Sequence, residues 1–366
     1  MPERLSVAIV GTGIGRDHLL GFRARPDLWE IALVCDIDRG RAERLAGEFA
    51  VGRVETDIEA VLADPTIDVV DLCTPPHLHF RQIASGIGAG KHVICEKPLV
   101  GSLADIDRLE ALCRDAPVRL MPIFQKRFGA GLFRLRHLMA RGLAGKPFVA
   151  TAETHWRRAA DYYAVPWRGK WATEMGGVNL TQAIHAHDIV THVMGPVARV
   201  FAANRTAVNP IEVEDCSAAV LEFANGSLAT LSSTLGAATQ TSRLRFVFEH
   251  LTVESNASAY DFTRDPWTFT APDAARQRAV DKALAELPEA YPAGESFAGQ
   301  FAAFHHALVS GTTPPVTLAD SRQSLELVTA IYHAARSGQP VSLPLGADHP
   351  GYASWLPPDH AASLTA

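Results

Sequence analysis

The sequence predicts an α/β protein of two domains. An N-terminal doubly wound parallel sheet is followed by a C-terminal α+β domain with a large, mostly antiparallel, open-faced sheet. Three observations predict it. At 366 residues the chain is longer than one hydrophobic core usually serves. Its first third alternates β-branched runs with helical stretches, and beyond Pro122 that alternation gives way to a meander. The expected domains are residues 1–123 and 124–345, with a tail over 346–366 that has no readable fold.

Ser6–Val10, Ile31–Cys35, Val69–Cys73, His92–Cys95 and Arg119–Ile123 read as strands. Arg39–Phe49, Asp57–Leu62, His79–Ala89 and Ser102–Cys113 between them have helical length and composition. Nearly continuous apolar strands separated by helices mean a parallel sheet covered on both faces, with right-handed crossovers. Further on, Phe133–Ala140 reads as a helix and Phe148–Thr154 alternates as a strand. Asn179–Val193 reads as one helix stopped by Gly195 and Pro196. Ser217–Phe223, Ser227–Ser233 and Arg243–Phe248 are strands, the first two joined by an Asn225-Gly226 turn. Two helices, Gly299–Ser310 and Ser321–Ser337, close the second domain.

Composition narrows the function. Hydrophobic residues make up 47% and charged residues 20%, as in a globular chain, and the net charge is -6 with Lys and Arg scattered. Nothing attracts a polyanion, so nucleic acid is not an expected partner, and no run is long enough to span a membrane. The five cysteines lack a CxxC pair, and three end apolar strands. They read as buried thiols of a cytoplasmic protein.

Val7–Val10 runs into Gly11-Thr12-Gly13-Ile14-Gly15, a glycine-rich turn opening a helix. Such a turn lets backbone amides approach a pyrophosphate, and the helix N-terminus adds positive potential; this is the dinucleotide turn of a Rossmann domain. The spacing departs from GxGxxG, since Arg16 stands at the third glycine position and Gly15 comes one residue early. Asp36, with Ile37 beside it, ends the second strand where a carboxylate binds a ribose 2′-OH. A carboxylate there repels a 2′-phosphate, which favours NAD over NADP, although Arg39 or Arg41 could offset the repulsion. Asp36 could also be a helix N-cap.

Cys73-Thr74-Pro75-Pro76-His77-Leu78-His79 and Gly90-Lys91-His92-Val93-Ile94-Cys95-Glu96-Lys97-Pro98 end two of the strands. With Trp167-Arg168, the segment Gly176-Gly177 through His185-Ala186-His187-Asp188, and Val341-Ser342-Leu343-Pro344, they resemble the Gfo/Idh/MocA family from about residue 5 to about 345. The resemblance implies NAD across the carboxyl ends of the strands, with Thr74 and Pro75 lining the nicotinamide side. It places His79, Glu96, Gln125, Trp167 and Arg168 with the cofactor as well. It implies Lys97 in the substrate cleft, and a cis bond before Pro98.

Hydride transfer from a secondary alcohol needs a proton acceptor for the hydroxyl and a charge that stabilises the developing alkoxide. By this chemistry and by the resemblance, His185 is the expected acid/base and Lys97 the expected alkoxide stabiliser. Taken singly, Lys97 could be a surface lysine beside a turn and His185 a histidine satisfied within its helix. Many family members carry Asp or Asn four residues before the histidine; here Thr181 stands there and should share its helical face. Thr181 offers a hydroxyl without charge. Asp188 could supply the partner charge or serve as a capping group. His185 and His192 are two helical turns apart and His187 points elsewhere, so no metal is expected.

The aromatic and cationic stretch from His155 to Trp171 suits a polyhydroxylated ligand, with His155, Tyr163 and Trp167 as pocket candidates beside Lys97, Thr181 and His185. Arg127 and Arg168 read as structural or near the cofactor. The expected activity is oxidation of a secondary hydroxyl of a sugar, sugar acid or cyclitol. The alternatives are an enzyme that retains NAD for redox-assisted elimination or glycoside cleavage, and a non-catalytic sugar-sensing relative. A homodimer or homotetramer through the open sheet face is expected, as family members pair there.

Overall fold

The computed structural model describes residues 4–287 and 294–361. By packing, the chain forms two compact units, Met1–Gln125 with Ala293–Ser321, and Lys126–Pro292 with Arg322–Ala366.

The first unit is a six-stranded sheet in the order β3-β2-β1-β4-β5-β6. Its strands are β1 (Leu5–Val10), β2 (Trp29–Cys35), β3 (Val54–Glu55), β4 (Val69–Leu72), β5 (His92–Cys95) and β6 (Leu120–Pro122). All neighbours pair in parallel. The helices are α1 (Gly15–Arg23), α2 (Arg39–Glu48), α3 (Ile58–Ala63), α4 (His79–Gly88) and α5 (Leu103–Arg114). Three of them start on side-chain caps, with Asp38, Asp57 and Ser102 accepting first-turn amides. The strand order reverses between β1 and β4, so ligands are expected beyond the carboxyl ends of those strands.

In the second unit the helices are α6 (Ala130–Ala140), α7 (Ala160–Tyr163), α8 (Val178–Thr181), α9 (Ile184–Met194), α10 (Ala274–Ala285) and α13 (Pro358–Ala361). The helix α11 (Ser296–Ser310) lies in the first unit, and α12 (Leu318–Ser337) runs across the division. The strands are β7 (Pro147–Arg157), β8 (Val197–Arg205), β9 (Cys216–Phe223), β10 (Leu228–Thr234), β11 (Gly236–Phe248), β12 (Thr252–Glu254), β13 (Thr268–Thr270) and β14 (Val341–Ser342). They form one sheet, β13-β12-β11-β7-β10-β9-β8-β14, antiparallel except where β7 and β10 run parallel. Period-two burial gives it one covered and one open face, and α9 lies against β7 and β11 on the covered side.

Three expectations change. The closing helix α11 belongs with the first unit, not with residues 124–345, because Gly21 of α1 leaves room for it. A Cβ there would lie 2.7 Å from that of Phe297, and Phe22 stacks on Phe301 at 3.9 Å. Gln300 then ties α11 to the end of β6, accepting from Phe124 N and donating to Pro122 O. The helix expected over Asn179–Val193 is two helices, because Ala183 N bonds Val178 O across a widened turn. The tail, in which the sequence shows no readable fold, packs against the second unit through Tyr352, Trp355 and Leu356, all buried.

Candidate active site

At the end of β1, Gly11 takes φ +99°, and a Cβ there would lie 2.5 Å from Cys73 O. Only glycine lets the turn press so closely on the end of β4. Gly13 faces open space, with nothing within 4 Å of a Cβ, which is room for a ligand to approach the backbone. The α1 N-terminus lacks a side-chain cap, so its positive end faces the glycine turn without a side chain over it.

Asp36 is 8% exposed at the end of β2. One of its oxygens accepts from Thr12 N at 3.1 Å and Thr12 Oγ1 at 2.6 Å, the other from Asp38 N and from Arg41 Nη2 at 2.9 Å. These donors outweigh burial and hold the carboxyl below its ordinary range. The N-cap reading of Asp36 is corrected, since Asp38 caps α2. Of the two arginines that could offset the carboxylate, Arg41 pairs with Asp36, while Arg39 pairs with Glu43. Ile37 is 90% exposed, an apolar surface beside that carboxylate.

The residues fit a dinucleotide on one further observation. Gln125, just after β6, is 6% exposed and its Oε1 is buried without a hydrogen-bond partner. A buried acceptor left open suits the amide donor of a nicotinamide.

Lys97 is half-buried just beyond β5, and its bond to Pro98 is cis, as expected. Two neighbours expected to touch cofactor are internal brackets instead. His79 is fully buried, its ring nitrogens 2.8 Å from Pro98 O and 2.8 Å from Thr74 O. Glu96 is 5% exposed; Oε2 accepts from Lys97 N at 3.0 Å and Oε1 lies 3.0 Å from His18 Nε2. Thr74 and Pro75 are half-buried, and Thr74 Oγ1 donates to Gln82 at 2.5 Å.

His18 and Asp71 escaped the sequence reading. The signal was present: Asp71 is a charged residue inside the fully buried strand Val-Val-Asp-Leu. The His18 ring bridges Asp71 Oδ2 at 2.8 Å and Glu96, with Cys73 Sγ at 3.3 Å. His18, Asp71 and Cys73 each bring a ligand-type atom within 4.8 Å of the others. Carboxylates take both ring nitrogens, however, and burial pushes the Cys73 thiol up, away from the thiolate a metal needs. The group is an ion-pair cluster.

In the second unit, His185 lies 7% exposed in the first turn of α9. The widened turn before it breaks the continuous helix on which Thr181 was to share its face. Thr181 Oγ1 donates to Gly177 O at 2.8 Å and contacts Gln182 Oε1. Gln182 Nε2 donates to Tyr162 at 3.0 Å, and the Tyr162 hydroxyl also meets Arg168. The Arg168 guanidinium covers the rings of Tyr162 at 3.9 Å and Trp167 at 4.4 Å and pairs with the buried Glu174. Thr181 therefore joins a polar chain through Gln182 and Tyr162, residues the sequence reading passed over in favour of Tyr163.

Tyr163 packs on the cluster of Trp156, Val178 and Leu235. His155 is corrected: β7 alternates, so it projects to the open face of the sheet with Ser232, 2.9 Å away. Trp156 takes the covered face. Asp188 is not the N-cap of α9, which is Ala183, and each of its carboxylate oxygens accepts from Arg127. His187 is fully buried, and burial lowers it to about 3, so it stays neutral.

Residues 5–124 match the model of an oxidoreductase family with an NAD-binding Rossmann fold, and residues 133–254 match the C-terminal domain model of the same family. The chain is 28% identical over 238 residues to myo-inositol 2-dehydrogenase of Thermotoga maritima, covering 63% of this chain and 68% of that one. It is 28% identical over 341 residues to 1,5-anhydro-D-fructose reductase of Ensifer adhaerens, covering 91% and 96%. Among solved structures, the WlbA dehydrogenase of Bordetella pertussis, in complex with NADH and UDP-GlcNAcA, superimposes with a TM-score of 0.81 at 27% identity, covering 94% of this chain and all of that one. The two matches together span most of the chain, which belongs to the Gfo/Idh/MocA family of NAD-binding oxidoreductases.

Proposed function

We propose that the protein oxidises a secondary hydroxyl of a sugar, sugar acid or cyclitol, with His185 as acid/base and Lys97 as the charge that stabilises the alkoxide. The family match over both domains carries this reading. NAD, when bound, supplies the hydride acceptor. His185 takes the hydroxyl proton as the carbon–hydrogen bond breaks and passes it to solvent afterwards. Lys97 holds a positive charge against the oxygen as it becomes anionic. Gly11 to Gly15 and Asp36 would hold the pyrophosphate and ribose, and Gln125 would accept from the carboxamide.

The Asp36 carboxylate, at the ribose position, favours NAD over NADP. The substrate class rests on the relatives, which act on cyclitols and sugars, and on the aromatic and hydroxyl-bearing chain from Trp167 through Tyr162 to Thr181. The open sheet face supports a homodimer or homotetramer. Phe201 pairs with Val220 there, Leu228 with Val149, and all four are over a third exposed. No described helix is long and apolar enough to cross a membrane.

A panel of sugars, sugar acids and inositols with NAD, followed by NADH absorbance, tests the activity. Replacing His185 with Ala lowers kcat by roughly 10²–10⁴ with NADH binding nearly unchanged; full turnover by that variant would sink the assignment.

A further inference from the structure

We infer that His18 is a positioning residue for Lys97: from α1, its imidazole grips the Glu96 carboxylate, which in turn fixes the Lys97 backbone. The inference rests on the proposed role of Lys97.

The ladder of β5 ends at Cys95, where its pairing with β4 and β6 stops. Beyond that point the backbone needs other partners. Glu96 N still reaches Leu72 O at 2.9 Å. The amide of Lys97 is instead met by the side chain of Glu96, at 3.0 Å. That carboxylate would be free to swing unless its other oxygen were held, and His18 Nε2 holds it at 3.0 Å.

The imidazole is itself rigidly placed. Its Nδ1 is engaged by Asp71 at 2.8 Å, and the rings of Phe297 and Phe301 lie 4.4 and 5.4 Å from it. It is 0% exposed. Each ring nitrogen faces a carboxylate oxygen, and a ring that donates to both is the imidazolium. Against burial, Asp71 and Cys73 raise His18 well above the ordinary histidine range; burial lifts Asp71 in turn, and His18 and Lys97 hold Glu96 low despite burial.

This arrangement spans the unit's functional elements. His18 stands one turn into the helix that the glycine turn opens, and Glu96 immediately precedes the lysine. The carbonyl of Pro98, on the far side of Lys97, is held by His79. The lysine is thus gripped from both flanks by buried imidazoles, one anchored in the dinucleotide helix.

The test uses the full chain with His18→Gln, His18→Leu, Glu96→Gln and the double variant His18→Gln/Glu96→Gln. Hydrogen exchange at the Lys97 amide, NADH binding by fluorescence, and kcat with a substrate identified from the panel are read for each. The expected result is faster exchange at Lys97, kcat lowered by up to about 10²-fold, and NADH affinity within about threefold of the parent. The double variant should lose no more than the worse single variant, as expected for two residues acting through one contact. A folded His18→Gln with parental exchange at Lys97 overturns the inference, as do losses that multiply in the double variant. If His18→Leu fails to fold, His18→Gln and Glu96→Gln decide alone. Lys97→Ala separates the two readings: undiminished turnover refutes the role of Lys97, and amide exchange then still reports whether His18 grips Glu96.

Discussion

Arg127 and Asp188 are joined by two hydrogen bonds, Nε to Oδ2 at 2.8 Å and Nη2 to Oδ1 at 2.7 Å, with side chains 5% and 2% exposed. The pair pins the first residues of the second unit to α9, three residues beyond His185. Removing one partner takes its two-bonded counter-ion from a buried charge. Asp188→Asn should therefore lower stability by about 3–5 kcal/mol, whereas Arg127→Met with Asp188→Leu should cost far less. Urea midpoints of the two variants check the order; equal losses would mean that the charges are not what matters.

Glu214 supplies a pH signature. It is fully buried, and burial lifts its carboxyl to about 7 although Gly177 N, Asn179 N and the Tyr332 hydroxyl all donate to it. Between the ordinary glutamate range and about 7 the folded state keeps a proton that the unfolded chain releases. Stability from this group is therefore complete at low pH, falls as pH rises towards 7, and levels off above it. Glu214→Gln should flatten that part of the stability curve by about 3 kcal/mol. Denaturant titrations at pH 5, 6 and 7.5 measure it, and parallel curves for parent and variant would contradict it.

Asp36 and Arg41 bear on cofactor choice. Their 2.9 Å contact neutralises a guanidinium that would otherwise suit a phosphate. Asp36→Ser should leave Arg41 paired only with Asp38 at the helix start, remove the carboxylate that repels a 2′-phosphate, and raise the NADP-to-NAD ratio of kcat/KM by about tenfold or more. A ratio that does not move would show that the carboxylate is not read by the ribose.

The tail is also open to test. Trp355 is 1% exposed, and its Nε1 donates at 2.7 Å to the carbonyl of Met175. Met175 takes φ +68°, a strained conformation for a residue that carries a Cβ, just ahead of Gly176-Gly177. Trp355→Ala should lower stability by about 3–5 kcal/mol and speed exchange in the segment leading to α8. Unchanged protection there would limit the tryptophan to packing.

Much of the first domain was legible because its signals are local. Alternation of apolar strands and helices, glycines at a strand end and an aspartate at the next strand end need no knowledge of distant residues. The second sheet was legible in kind for the same reason, since period-two patterning and an Asn-Gly turn are written along the chain. Face assignment was harder: the position of His155 followed from the phase of the alternation in β7, and a motif-minded reading of the aromatic stretch overlooked that phase.

What the amino-acid order determined by itself was the family, the cofactor turn and the identity of Lys97 and His185 as candidates. Tertiary structure alone decided which neighbours hold them. His18 meets Glu96 across 78 residues and Arg127 meets Asp188 across 61, and α11 crosses back to α1 where Gly21 admits it. No periodicity reports such pairs. Buried charges find partners only when strands from different parts of the chain are laid side by side, because the low dielectric that makes each pair strong exists only once the core has closed.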